Sequence, residues 1–253
     1  MHKKFVTLTS AAALLLSAGV APLAAAELKV SGAAAVAGNI VMPHKADIEK
    51  ETGLTLNVTV NGDGNGLKDL SAGKVDVMMV AAPIKVTEAA VNKQEPGSAS
   101  TAGVEVAPIG ALKISFIVNA ANPVKSLTAA QLKDIFTGKI KSWKDVGGPD
   151  KPIVIVAEPA GFGTRANIVS SLLEGAELSG NVREMRALVQ VAQVVGQVPD
   201  AIGYGNAATI SGGVAVIPGT QVDQQLGLAT KGAPSADVKK LIAAAAKFGA
   251  TVK

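Results

Sequence analysis

Pro152-Ile-Val-Ile-Val-Ala-Glu-Pro-Ala-Gly-Phe-Gly-Thr-Arg165 is the stretch from which the fold can be read. Its β-branched run at 153–157 predicts a buried strand, followed by a turn punctuated by Gly161 and Gly163. The apolar spacing over 166–173 predicts a helix that starts near Gly163 or Thr164. A strand feeding a helix through such a turn aims main-chain N–H groups and a positive dipole end at whatever lies above the strand, a common seat for small anions. On the turn alone two readings stand: the glycines meet a ligand, or they only satisfy the backbone angles of a βα connection.

Towards the N-terminus the same alternation recurs. A short strand at 27–32 runs into Ser31-Gly32, and helical spacing over 34–51 (Val36, Ile40, Val41, Ile48) ends at Gly53. Residues 54–60 alternate as a strand, 61–66 (Asn-Gly-Asp-Gly-Asn-Gly) read as a turn into a short helix at 67–72, and 75–80 form a third strand. Strand, helix, strand in this order argues for an α/β fold with a mostly parallel sheet. The glycine-rich 61–66 is a second candidate nest of N–H groups, but no Gly-Lys-Ser/Thr follows, so it is not a nucleotide P-loop. Asp63 and Asn65 either cap the next helix or face a ligand.

Towards the C-terminus, 93–103 reads as a polar surface loop. Residues 104–119 form a long β-rich run able to cross from one lobe to another, and 127–140 a helix capped by Thr128 with Gln131 and stopped at Gly138. Trp143 is expected as a core anchor, 181–195 as helix, 201–205 as the strand returning to the first lobe and 214–217 as a further strand. An Ala-rich helix at 236–248, capped near Ser235, closes the chain.

Composition narrows the function. Lys3 and Lys4, the apolar run from Phe5 and the small residues Ala24-Ala25-Ala26 predict a secretory leader over 1–26, cleaved to release a soluble periplasmic chain starting at Glu27. Without Lys3 and Lys4 the balance is 22 basic against 20 acidic residues with no basic run, which argues against nucleic acid as a partner. No cysteine is present, and His44 is the only histidine beyond the leader, expected on the surface. A disulfide framework is thereby excluded, and a metal site, a cofactor and a Ser-His-Asp set find no support.

Several motifs together resemble the periplasmic phosphate-binding proteins of ABC transporters, within the type II solute-binding fold. They are Leu127-Thr128, Gln131-Leu132, Ile135 to Ile140, Trp143 and Val146-Gly147-Gly148, with Lys50 to Gly53, Val75-Asp76, Gly161 to Arg165 and Ala201 to Tyr204 in the matching order. The resemblance implies two α/β lobes, one from 27–119 plus 200–253 and one from 120–199, hinged by crossing strands around a ligand cleft. Its ligand contacts would come from Ala34, Ala35, Asp63, Gly64, Asn65, Ala81, Glu158, Phe162, Gly163, Thr164 and Arg165, with an ABC permease as partner and a monomeric state.

The departures from that family matter too. Where it offers a Ser or Thr in the first turn stands Ala33-Ala34-Ala35, and where it has Ser-Asp or Ser-Arg after the third strand stands Val80-Ala81-Ala82-Pro83. Phe162 takes the Ser slot of Gly-Ser-Gly-Thr, and Glu158 aligns with an arginine. Each unmade hydrogen bond to a desolvated charge costs on the order of 2 kcal/mol, so phosphate is expected to bind weakly at neutral pH. Three functions remain open: capture of a solute, phosphate or a more apolar one, for a permease; a sensory or scaffold role in the same fold; and, least supported, an extracytoplasmic enzyme.

Overall fold

A computed structural model of the chain describes residues 25–179 and 182–250. The first unit is β1 (Ala26–Gly32), helix α1 (Ala34–Val36) continuing as a π-helical turn to Val41, α2 (Lys45–Thr52), β2 (Leu54–Val60), α3 (Gly62–Ser71) and β3 (Val77–Val80). Then come α4 (Ile84–Gln94), β4 (Val104–Asn119), α5 (Ala129–Phe136), a 3-10 turn at Trp143–Val146, β5 (Val154–Ala157) and α6 (Gly163–Ser171). β6 (Val182–Glu184), α7 (Leu188–Gln197), β7 (Ala201–Gly205), β8 (Val214–Val216), β9 (Val222–Lys231) and α8 (Ala236–Gly249) complete the described chain.

The strands run β2-β1-β3-β9-β4-β7-β5-β6, with β8 on β4. Parallel pairing, expected from the βαβ order, holds in the outer ladders β1–β2, β1–β3, β5–β6 and β5–β7. The ladders made by β4 and β9 are antiparallel. β4 is the long crossing strand: Val104 to Ile114 pair with β9, and Ser115 to Val118 with β7. From Ile114 to Asn119 it is buried without a break, as a strand covered on both faces must be.

Local signals did their work where the chemistry is local. Thr128 and Gln131 form a reciprocal capping box on α5, Ser235 caps α8, and Gly53 ends α2 in the left-handed region at φ 70°. Trp143 is fully buried and its indole N–H donates to the Asp200 carbonyl at 2.9 Å.

Five expectations are corrected. The helix over 34–51 is two helices, because Pro43 has no N–H to give to a ladder and its ring obstructs the preceding turn. The glycines of 61–66 are not a turn but the first half of α3: a Cβ on Gly66 would lie 2.7 Å from the Gly32 Cα, so glycine lets the helix press onto β1. The stretch 181–195 contains the edge strand β6 before α7 begins. β7 and β8 pair with the C-terminal half of β4, and β7 also with β5, so 201–205 are hydrogen-bonded to a strand of the expected second lobe as well as to the crossing strand. The strand that returns to the first group is β9, which the sequence reading missed along with α4.

His44 is half-buried rather than on open surface, stacked on Phe248 with ring centroids 4.1 Å apart. The expected leader lies outside the described residues except for Ala25 and Ala26, the latter already paired with Leu54 in β1. Among the described residues no helix is long and apolar enough to cross a membrane.

Candidate functional site

The turn between β5 and α6 is shaped by its own side chains. Gly161 sits at φ 89°, where any Cβ would be strained, and Phe162 forms the N-cap of α6 without a side-chain cap. Arg165 turns back beneath the turn: its Nη1 donates to the Glu158 carbonyl and to Glu184 Oε1, both at 2.9 Å. The Glu158 N–H donates to the Tyr204 hydroxyl at 3.0 Å, and Tyr204 is held edge-on by Phe116. The main chain of Glu158 is thereby fixed, leaving its carboxyl to face forward.

What it faces is a cavity of about 270 Å3. The β5–α6 turn supplies Glu158, Phe162, Gly163 and Thr164, the α3 N-terminus supplies Gly62 and Asp63, and Ala34, Ala35 and Ala81 close the sides. The first-turn amides of α3 and α6 have no partner within their own helices. The positive ends of both dipoles thus meet here.

Two carboxyls stand in this electropositive setting. Asp63 is 2 % exposed, and its Oδ1 accepts from the N–H groups of Ala81 (2.8 Å) and Ala82 (3.1 Å). Its Oδ2 lies where a Cβ on Gly163 would fall 2.5 Å away, so the absence of a side chain at Gly163 is what admits it. Burial still wins over the three main-chain donors, and the Asp63 carboxyl is pushed up to about 6. Glu158 is 6 % exposed, and its Oε2 is buried with no hydrogen-bond partner among the described residues. Desolvation pushes it up to about 7, opposed by the Thr164 hydroxyl and reinforced by the charge of Asp63.

A polar latch spans the cavity's rear. Gln224 of β9 is fully buried, donates from Nε2 to the Ala81 carbonyl at 2.9 Å and lies 3.3 Å from the Thr164 hydroxyl. Asn167 of α6 donates to the Asp223 carbonyl at 3.1 Å.

Of the expected site residues, Ala34, Ala35, Asp63, Ala81, Glu158, Phe162, Gly163 and Thr164 line this one cavity. Gly64 and Asn65 do not; they line a neighbouring cavity of about 170 Å3. Arg165 lines neither: it is spent on the turn and on Glu184, and its Nε is buried without a partner among the described residues. Sequence reading missed Val60, Asn61 and Arg186. Arg186 is the arginine at the cavity wall, and only the path of the loop from β6 to α7 puts it there.

Comparison with known proteins agrees with this architecture. The chain is similar to the Bacillus subtilis phosphate-binding protein PstS, 31% identical over 181 residues, which are 72% of this chain and 57% of that protein. It therefore spans a little over half the length of that relative. Among solved structures it is similar to a Clostridium perfringens chain described as a phosphate ABC transporter substrate-binding protein with bound phosphate. That match has a TM-score of 0.70 and 25% identity, covering 86% of this chain and 91% of the other. It also shares its fold with an ABC-type phosphate transport receptor from Vibrio cholerae, at TM-score 0.69, 20% identity and coverage of 87% and 93%. A family model described as a PBP superfamily domain matches residues 19–250, and the chain belongs to that superfamily.

Proposed function

We propose that this protein captures a small tetrahedral oxyanion carrying at least one acidic proton and delivers it to an ABC permease, without catalysing a reaction. The single observation that carries this is the unpartnered Glu158 Oε2, buried beside the first-turn amides of α6. N–H groups suit the bare oxygens of an oxyanion, and an acceptor carboxylate suits its hydroxyl. Phosphate and its analogues offer both, in keeping with the relatives. The strands β4 and β9, shared between the two strand groups, are the natural hinge, Arg186 stands at the cavity wall from which it can fold over the bound anion, and capture is by a monomer in the periplasm, a location in keeping with the leader expected over 1–26.

Affinity should then depend on protons. With Asp63 and Glu158 both ionised, a dianion meets two like charges; at an effective dielectric of about 20, every pair of unit charges ~4 Å apart repels by on the order of 4 kcal/mol. Titration calorimetry with inorganic phosphate should show weak binding near pH 8 and at least tenfold tighter binding at about pH 6, where a proton is at hand to be shared between Glu158 and the anion and Asp63 is about half protonated. An unchanged affinity across that range would overturn the reading.

A second reading has its own support: Asp63 already occupies the amides of Ala81 and Ala82, as a ligand oxygen would. On that reading the cavity holds a neutral solute that donates to Glu158, in uptake or in sensing. Phosphate would then bind at neither pH.

A further inference from the structure

The cavity holding Glu158 shares its α4-side wall with a second cavity. Asn61, Gly62 and Phe162 line both it and the neighbouring cavity of about 170 Å3, so Phe162 is a partition with a chamber on each face. The second chamber is built from α3 (Gly64, Asn65), α4 (Thr87, Val91) and the turn before α6 (Gly161). Its only charged groups, Lys68 and Glu95, pair with each other at 3.0 Å. Whatever it accommodates therefore needs no net charge.

Two polar atoms there are unsatisfied. Among the described residues the hydroxyl of Thr87, a side chain 4 % exposed, has no partner; Asn61 gives its Nδ2 to Asp69 at 2.9 Å, while its Oδ1 accepts from none of them. A buried hydroxyl left unpaired costs roughly 1–3 kcal/mol. Asn61 Oδ1 can only accept, whereas the Thr87 hydroxyl can donate or accept, so the complementary group is a hydroxyl. At ~30 Å3 for each water-sized group, the chamber has room for about five.

We infer that the ligand spans both chambers: a small organic phosphate monoester whose acidic head sits beside Glu158 and whose uncharged, hydroxyl-bearing chain passes Phe162 to meet Thr87 and Asn61. This rests on the oxyanion reading of the first cavity and adds a second subsite to it. Phe162 acquires a role of its own, as the apolar neck around the ester's carbon chain. Gly64 and Asn65, displaced from the first cavity, become walls of the second.

The test is calorimetry at about pH 6 with two probes, inorganic phosphate and glycerol 3-phosphate, on the full chain and on Thr87→Val, a shape-conserving change. The ester should bind about tenfold tighter than inorganic phosphate, the worth of one to two good hydrogen bonds. Thr87→Val should remove most of that preference while leaving inorganic phosphate within about twofold, with a cooperative melt at an equal or higher thermal midpoint certifying the fold. Equal affinities for the two probes, or a Thr87→Val preference equal to that of the unmodified chain, would overturn the two-chamber inference with the oxyanion reading intact. Binding of neither probe would overturn both.

Discussion

The carboxyl of Glu158 loses its water on folding and recovers little from the protein, and that imbalance has a measurable sign. Its proton affinity rises from the ordinary 4.5 to about 7, so the folded chain holds the proton more tightly than the unfolded one. For such a raised carboxyl, no stability is lost below the unfolded value; the loss grows as pH climbs from about 4.5 through 7. At 1.36 kcal/mol per unit the full loss is on the order of 3 kcal/mol. Glu158→Gln removes the proton linkage and keeps the shape. In urea unfolding, the variant should therefore match the unmodified protein near pH 4.5 and exceed its stability by about 2–3 kcal/mol near pH 8. A variant equally stable or weaker at the higher pH would show that Glu158 is well solvated. Asp63, raised to about 6 yet holding three main-chain donors, should leave a smaller residual slope between about pH 4 and 6 in that variant.

Helix α3 shows what an element owes to its neighbours. Glycine in a helix interior is about 1 kcal/mol worse than alanine, so replacing either Gly64 or Gly66 ought to help the isolated helix. The surroundings reverse this at one position only. A Cβ at Gly64 meets the tip of the Val91 side chain at 3.1 Å, which can yield, whereas a Cβ at Gly66 meets the Gly32 main chain at 2.7 Å, which cannot. Gly64→Ala should be near neutral and Gly66→Ala destabilising by about 1–3 kcal/mol in chemical denaturation, and equal effects would refute the close-packing account. The same contrast explains what the sequence disclosed. Thr128, Ser235 and Gly53 act within four residues of themselves and were legible, as was the long apolar run of β4. Glycines at 61–66 were legible as glycines, but not as a helix pressed on a strand, because Gly32 is far away in sequence. β9 was hidden by the polar Asp223, Gln224 and Gln225 in its first half, since a buried glutamine such as Gln224 reads as polar until its partners Ala81 and Thr164 are known. Glu158 was singled out for the charge it brings to the turn, whereas Thr87 on the unforeseen α4 and Arg186 on a loop carried no pattern of their own.

At the scale of the whole molecule the decisive feature is that β9 lies between β3 and β4. Its register joins Met78 to Ala229 on one side and Val104 to Lys231 on the other. Met78 and Met79 are fully buried, so without β9 an apolar strand and the first half of β4 are left with open edges. A chain ending at Pro218 should therefore fail to give a cooperative unfolding transition and should aggregate on refolding; a soluble, cooperatively melting fragment would contradict this. The same topology sets a clock. Residues 26–119 carry four strands and four helices whose local structure can form as soon as they are made, but their central ladder waits for a segment more than a hundred positions downstream. Synthesis proceeds from the N-terminus, so the sheet stays unsealed until Lys231 has emerged. A polypeptide whose keystone arrives last remains threadable for most of its birth, a useful delay for any chain that must cross a membrane before it locks.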